Sequence, residues 1–127
     1  MKYVLMLVLG AAIGFLTATM VGNSLRQVHA FPRGVMAVMQ HHVGSLRQSV
    51  RDDRCEAADV QRRLDGLFHL TTDVPAAFPG LRDSQAFLDY NATLRTRLSI
   101  ARDAEPTSCS TLVPLLQEVT DACSACH

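Results

Sequence analysis

Residues 111–127, TLVPLLQEVTDACSACH, place Leu112, Leu116, Val119, Cys123 and Cys126 at successive intervals of 4, 3, 4 and 3. Side chains three and four apart share one face of an α-helix, so this rhythm predicts a helix whose buried seam ends in two cysteines. Pro114 stands close enough to the helix start for its missing N–H to cost little. No segment alternates apolar and polar residues with period two, so the rest of the chain should be helical as well.

Working back from that helix, three more seams emerge. Met36, Met39, Val43, Leu46 and Val50 trace a helix over residues 32–51, with Pro32 in its first turn. Ala57, Val60, Leu64 and Leu67 trace a second over 56–71, closed by TTDVPAAFPG, whose two prolines and glycine do not continue a helix. After the cap offered by Asp83-Ser84, Phe87, Tyr90, Leu94, Leu98 and Ala101 line a third over 84–103, stopped by DAEPTS. Short connections between four amphipathic helices predict an all-α, antiparallel up-down-up-down four-helix bundle. In that topology Met36 lies at the same end as residues 123–127.

The start of the chain reads differently. Residues 3–21, YVLMLVLGAAIGFLTATMV, carry no charge over nineteen positions, a helical length of roughly 28 Å and close to one bilayer core. We therefore expect a single transmembrane helix ahead of the bundle. The only small-x-small cleavage site, Val28-His29-Ala30, is displaced from the run by a polar stretch containing Arg26, which favours a retained anchor over a cleaved signal. Gly10 and Gly14 form a GxxxG pair that suits approach of another membrane helix, with simple tolerance of glycine as the plainer reading. The expected domains are residues 1–27, an anchor or uncleaved signal, and residues 31–127, the bundle.

Composition adds bounds. Twelve basic and twelve acidic residues balance in a chain of 127, so no global field argues for nucleic acid as partner. Eleven of the twelve cations are Arg, mostly scattered singly, as on a solvated helix surface. No nucleophile with an acid-base partner can be read from the chain, so an enzyme is not expected.

Cys123-Ser124-Ala125-Cys126-His127 is C-x-x-C-H, the pattern that attaches one covalent haem c: two thiols add across the vinyl groups and the adjoining imidazole reaches the iron. On a helix, positions i and i+3 bring both sulfurs to one edge of the porphyrin. A redox dithiol would call for a βαβ context that is absent, and zinc for four ligands that are not gathered.

With the motif and the segment FPRGVMAVMQHHVGSL (residues 31–46) in view, residues 31–127 resemble the cytochrome c-prime superfamily. The likeness rests on an aromatic-basic start, a distal-site residue, and a histidine before an apolar-Gly pair, here His42, Val43 and Gly44. The resemblance implies a periplasmic four-helix cytochrome with His127 on the iron. It puts Met36 at the distal position, where the low-spin branch has a methionine ligand. It implies a propionate-pairing role for Arg33, which stands three residues before Met36 where the family's arginine often stands four. His41 and His42 fall off the seam and are read as surface or rim residues; His29 and His69 receive no role.

Two cysteines remain. Met36 to Cys55 is 19 residues and Cys109 to His127 is 18, so at helical rise each cysteine lies about 27–29 Å from the site end. They reach the same height, in a compartment that permits disulfides, and a Cys55–Cys109 bridge is expected, with two free thiols as the alternative.

The resulting expectation is an electron carrier of the bacterial inner membrane, its haem domain facing the periplasm, with His127 and Met36 as axial ligands. Its partners would be redox proteins of the respiratory chain and, through the N-terminal helix, the membrane; a homodimer or membership of a membrane complex is left open. The alternatives are a high-spin protein that binds nitric oxide or carbon monoxide, and an accessory subunit of a respiratory complex.

Overall fold

The computed structural model describes the backbone of residues 2–126 and the side-chain environment of residues 3, 4, 6–20, 22 and 30–126. Every element among them is helical: α1 (Lys2–Arg51), α2 (Ala57–Leu70), α3 (Val74–Ala77), a 3₁₀ turn (Pro79–Leu81), α4 (Gln85–Asp103) and α5 (Cys109–Ala125). The chain divides into two units, Met1–Arg33 and Gly34–His127.

Two expectations about the first unit are corrected. Among the described residues no helix is long and apolar enough to cross a membrane, so the transmembrane helix expected at the start of the fold is not supported. The large apolar residues there, such as Leu9, Ile13 and Leu16, are interleaved with Gly10, Ala11, Ala12, Gly14, Thr17, Ala18 and Thr19. Helix α1 does not begin at Pro32 but continues through it, 50 residues in all; an internal proline removes one N–H bond and costs about 3 kcal/mol, a local loss that leaves the turns on either side intact. Thr17 Oγ1 donates to the carbonyls of Ile13 and Gly14, and Thr19 Oγ1 to that of Leu16, so the hydroxyls are spent within the helix itself. The described side chains between Tyr3 and Met20 are exposed.

The second unit is built on one core. Leu46 of α1, Val60, Leu64 and Leu67 of α2, Leu98 of α4, and Leu112 and Val119 of α5 are fully buried. Each such side chain contributes about 1.5–3 kcal/mol when removed from water. At one end Cys55 and Cys109 form a disulfide with a Cα–Cα distance of 5.2 Å. At the other, Met36 of α1, Val74 of α3, Phe87 of α4 and Cys123 of α5 line a common cavity. Since α1 leads from the cavity toward Cys55 and α5 from Cys109 back to the cavity, with α2 and α4 traversing the space between, the four long helices alternate in direction.

Local chemistry accounts for the boundaries. Ser84 caps α4 by accepting from the Phe87 N–H at 3.4 Å. Ser108 caps α5 through a reciprocal pair, its hydroxyl accepting from the Thr111 N–H at 3.3 Å while the Thr111 hydroxyl accepts from the Ser108 N–H at 3.3 Å. Asp53 and Glu105 have positive φ, 51° and 45°, in the two turns at the disulfide end; Asp tolerates this region through its short polar side chain. The segment 71–80, expected to be non-helical, holds a single turn of helix because Pro75 falls in its first turn, where no N–H is needed. Phe68 of α2 lies between two guanidinium groups of α4, Arg95 and Arg102, each 4.3 Å from the ring centroid. Those two arginines are interhelical clamps, unlike the freely solvated cations expected.

The disulfide closes a loop of sequence separation 54, for which chain entropy predicts up to about 4 kcal/mol of stabilisation. Replacing both Cys55 and Cys109 by serine should lower the unfolding free energy in urea by about 2–4 kcal/mol. A thiol assay in denaturant should count two more thiols after reduction; an unchanged count would remove the bridge from the account.

Candidate functional site

The cavity end is where the chemistry-bearing residues of the second unit meet. Its volume is about 580 Å³, inside the ~300–1,000 Å³ range of sites that enclose a small ligand or cofactor. Helix α1 supplies one wall through Met36, Met39, Gln40, Val43, Gly44 and Arg47, positions that recur every three or four residues along one face. Val74, Phe78 and Leu81, from α3 and the 3₁₀ turn, close a second side. Phe87, Tyr90, Asn91 and Leu94 of α4 form a third, and Thr120, Cys123, Ser124 and Cys126 of α5 the fourth. Phe78 and Phe87 meet edge-on with centroids 6.0 Å apart, which fixes the corner between the α3 side and α4.

Both motif cysteines thus face the same space as Met36, but they are not equally placed. The seam expected to bury both shifts by one residue at the end of α5: Ala122 is buried, Cys123 half-buried and Cys126 exposed at the rim. The reason lies in helical geometry, since a 3.6-residue turn drifts against a strict 4-3-4-3 repeat. Burial pushes the Cys123 thiol above its ordinary range, the neighbouring Cys126 adds to this, and Arg47 pulls the other way. Met36 is half-buried and Met39 buried. Gly44 leaves a bare stretch of wall, for a Cβ placed there would meet no atom within 4 Å.

Arg33 is exposed, ends the first unit and is not among the residues that line the cavity. The expectation for His127 lies outside the described residues. His69 is exposed. His42 departs from its expected surface position: it is half-buried against α2, and its Nε2 is only 3.1 Å from where a Cβ on Gly66 would be, so the imidazole packs over the bare face of that glycine. Its Nδ1 is buried without a hydrogen-bond partner, and its pKa is lowered, first by burial and then by the charges of His41 and Arg63.

Sequence reasoning missed Arg47, Asn91, Thr120 and the α3 side of the cavity. One signal for Arg47 was available, since it follows Met36 by eleven residues, close to three full turns on the same face. Compared with known proteins, the chain matches no family model, no curated protein and no solved structure.

Two outcomes follow. Gly44→Ala should stabilise the domain by about 0.5–1 kcal/mol in urea unfolding, because the new methyl meets only open cavity while the helix gains propensity. For His42, a pKa lowered by folding means that the unfolded chain binds the proton more readily, so stability present above the ordinary imidazole value of 6.5 is lost as pH falls below it. In His42→Leu that acid slope of stability should flatten; a wild-type curve with no slope between pH ~6.5 and 5 would contradict the assignment.

Proposed function

We propose that this chain is a c-type cytochrome that carries single electrons, similar to the low-spin branch of the cytochrome c-prime superfamily. The observation that carries the reading is the convergence of Cys123, Cys126 and Met36 on one cavity of about 580 Å³. Two thiols on α5 and one thioether facing the same space from α1 match the donor set of a haem held by thioether links, with a methionine on the side opposite the attachment helix. The bare wall at Gly44 and the apolar side chains of Val43, Leu94 and Phe87 suit a flat, apolar ligand.

On this reading Cys123 and Cys126 would hold haem c covalently, and His127 and Met36 would ligate its iron. Bound there, the group supplies a one-electron iron couple, whose potential a methionine ligand raises. The chain's own residues do the rest. Val43, Met39 and Leu94 exclude water from the inner side of the cavity. Burial of Cys123 raises its thiol pKa and disfavours the thiolate. The rim at Cys126 is the exposed edge through which a redox partner protein would exchange electrons. A disulfide at the far end supports a location on the periplasmic side, outside the reducing cytoplasm.

The test is co-expression with a c-type cytochrome maturation system. Denatured wild-type protein should retain haem by mass and by haem stain, and Cys123→Ser with Cys126→Ser should lose it. Met36→Ala should turn a six-coordinate low-spin spectrum into a five-coordinate high-spin one. A wild-type spectrum that is already five-coordinate would reject Met36 ligation and move the protein to the gas-binding class.

A further inference from the structure

Three polar side chains of the cavity wall already bond to backbone. Thr120 Oγ1 donates to the Leu116 carbonyl at 2.8 Å, and Ser124 Oγ to the Thr120 carbonyl at 3.0 Å. Asn91 Nδ2 donates to the Thr71 carbonyl at 3.1 Å, which leaves its Oδ1, an acceptor, as the buried atom without a partner. Each of these three side chains gives a donor to backbone, and none of them carries a charge.

Arg47 is different. It is the one charged side chain among the described lining residues, and no ion pair among the described residues includes it. Of a guanidinium's five N–H donors, one bonds among the described residues, from Nη2 to Thr120 Oγ1 at 3.3 Å. That bond spans α1 to α5 and sets the guanidinium one turn before Cys123. Thr120 is suited to this because its own proton is already given to Leu116, so its oxygen is left to accept.

We propose that Arg47, held by Thr120, is the cation that pairs with a carboxylate of the cavity's ligand. The inference rests on the cytochrome reading, under which that carboxylate is a haem propionate, and it moves to Arg47 the role that the resemblance implied for Arg33. A planar guanidinium suits a carboxylate through two parallel N–H bonds, and at an exposed rim such a pair fixes orientation more than it adds affinity. The groups that face Arg47 are few. Cys123 of α5 and Cys126 at its C-cap are consumed as thioethers on this reading, Tyr90 of α4 is the third titratable group, and no Asp, Glu, Lys or His is among the described lining residues of any wall.

The experiment is spectroelectrochemical titration of the holoprotein, following the midpoint potential from pH 4 to 9. Loss of an adjacent cation raises a carboxyl pKa by about one unit or more. Arg47→Gln should therefore move the acid inflection of the potential up by about one pH unit, with Arg47→Lys moving it less and Thr120→Val giving a partial shift with the charge retained. Arg33→Gln should leave the inflection in place. If Arg47→Gln carries haem normally and its curve superimposes on wild type, the pairing is wrong while the cytochrome reading stands. A wild-type chain that takes up no covalent haem overturns both.

Discussion

The rotational phase of α5 governs the site. Leu112, Leu116 and Val119 are held in the core with little or no exposure, and once they are fixed the helix has no freedom left in how it presents its last turn. One further step along the same stripe sends Ala122 into the core, Cys123 to the cavity and Cys126 to the rim. Burying a wrong face would cost several leucine-sized transfers, each of about 1.5–3 kcal/mol. The position of the two thiols is therefore set by aliphatic side chains more than one turn away from them.

The helical segments were largely legible because each carries its own seam: Leu112 to Val119, Phe87 to Ala101 and Val60 to Leu67 all recur at three and four, and all supply core residues. What could not be read was where helices join. Pro32 has the character of a helix start, and only the continuity of the backbone through it shows otherwise. The apolar run at residues 3–21 looked like a membrane span by length and lack of charge, yet no described helix has the length and apolarity to cross a membrane. Residues 71–80 looked like a breaker because of their prolines, although a proline in a first turn breaks nothing.

Of the site, the sulfur-bearing residues were legible and the polar ones were not. Cysteines and methionines at seam spacing announce themselves, since they are apolar and periodic. Arg47, Thr120 and Asn91 sit on the shoulders of their helices, where a polar residue in sequence has the same appearance whether it faces water or a cavity mouth. Arg33 was named because the resemblance puts an arginine shortly before Met36, and it does not line the cavity. In the fold, three helical turns bring Arg47 back to the same face, and distance along the sequence ceases to matter.

The bridge between Cys55 and Cys109 also has a bearing on how the protein is made. Four cysteines can pair in three ways, and an unfolded chain has no means of telling its thiols apart. Folding sorts them: one pair meets at the turns of one end, while the other two sulfurs are kept at the opposite end with the length of the core between them. Oxidation that follows folding cannot join a cysteine of one end to a cysteine of the other. The bundle thereby acts as a spacer that keeps two pairs of identical groups from mixing, one of them closed as a staple and the other left at the cavity.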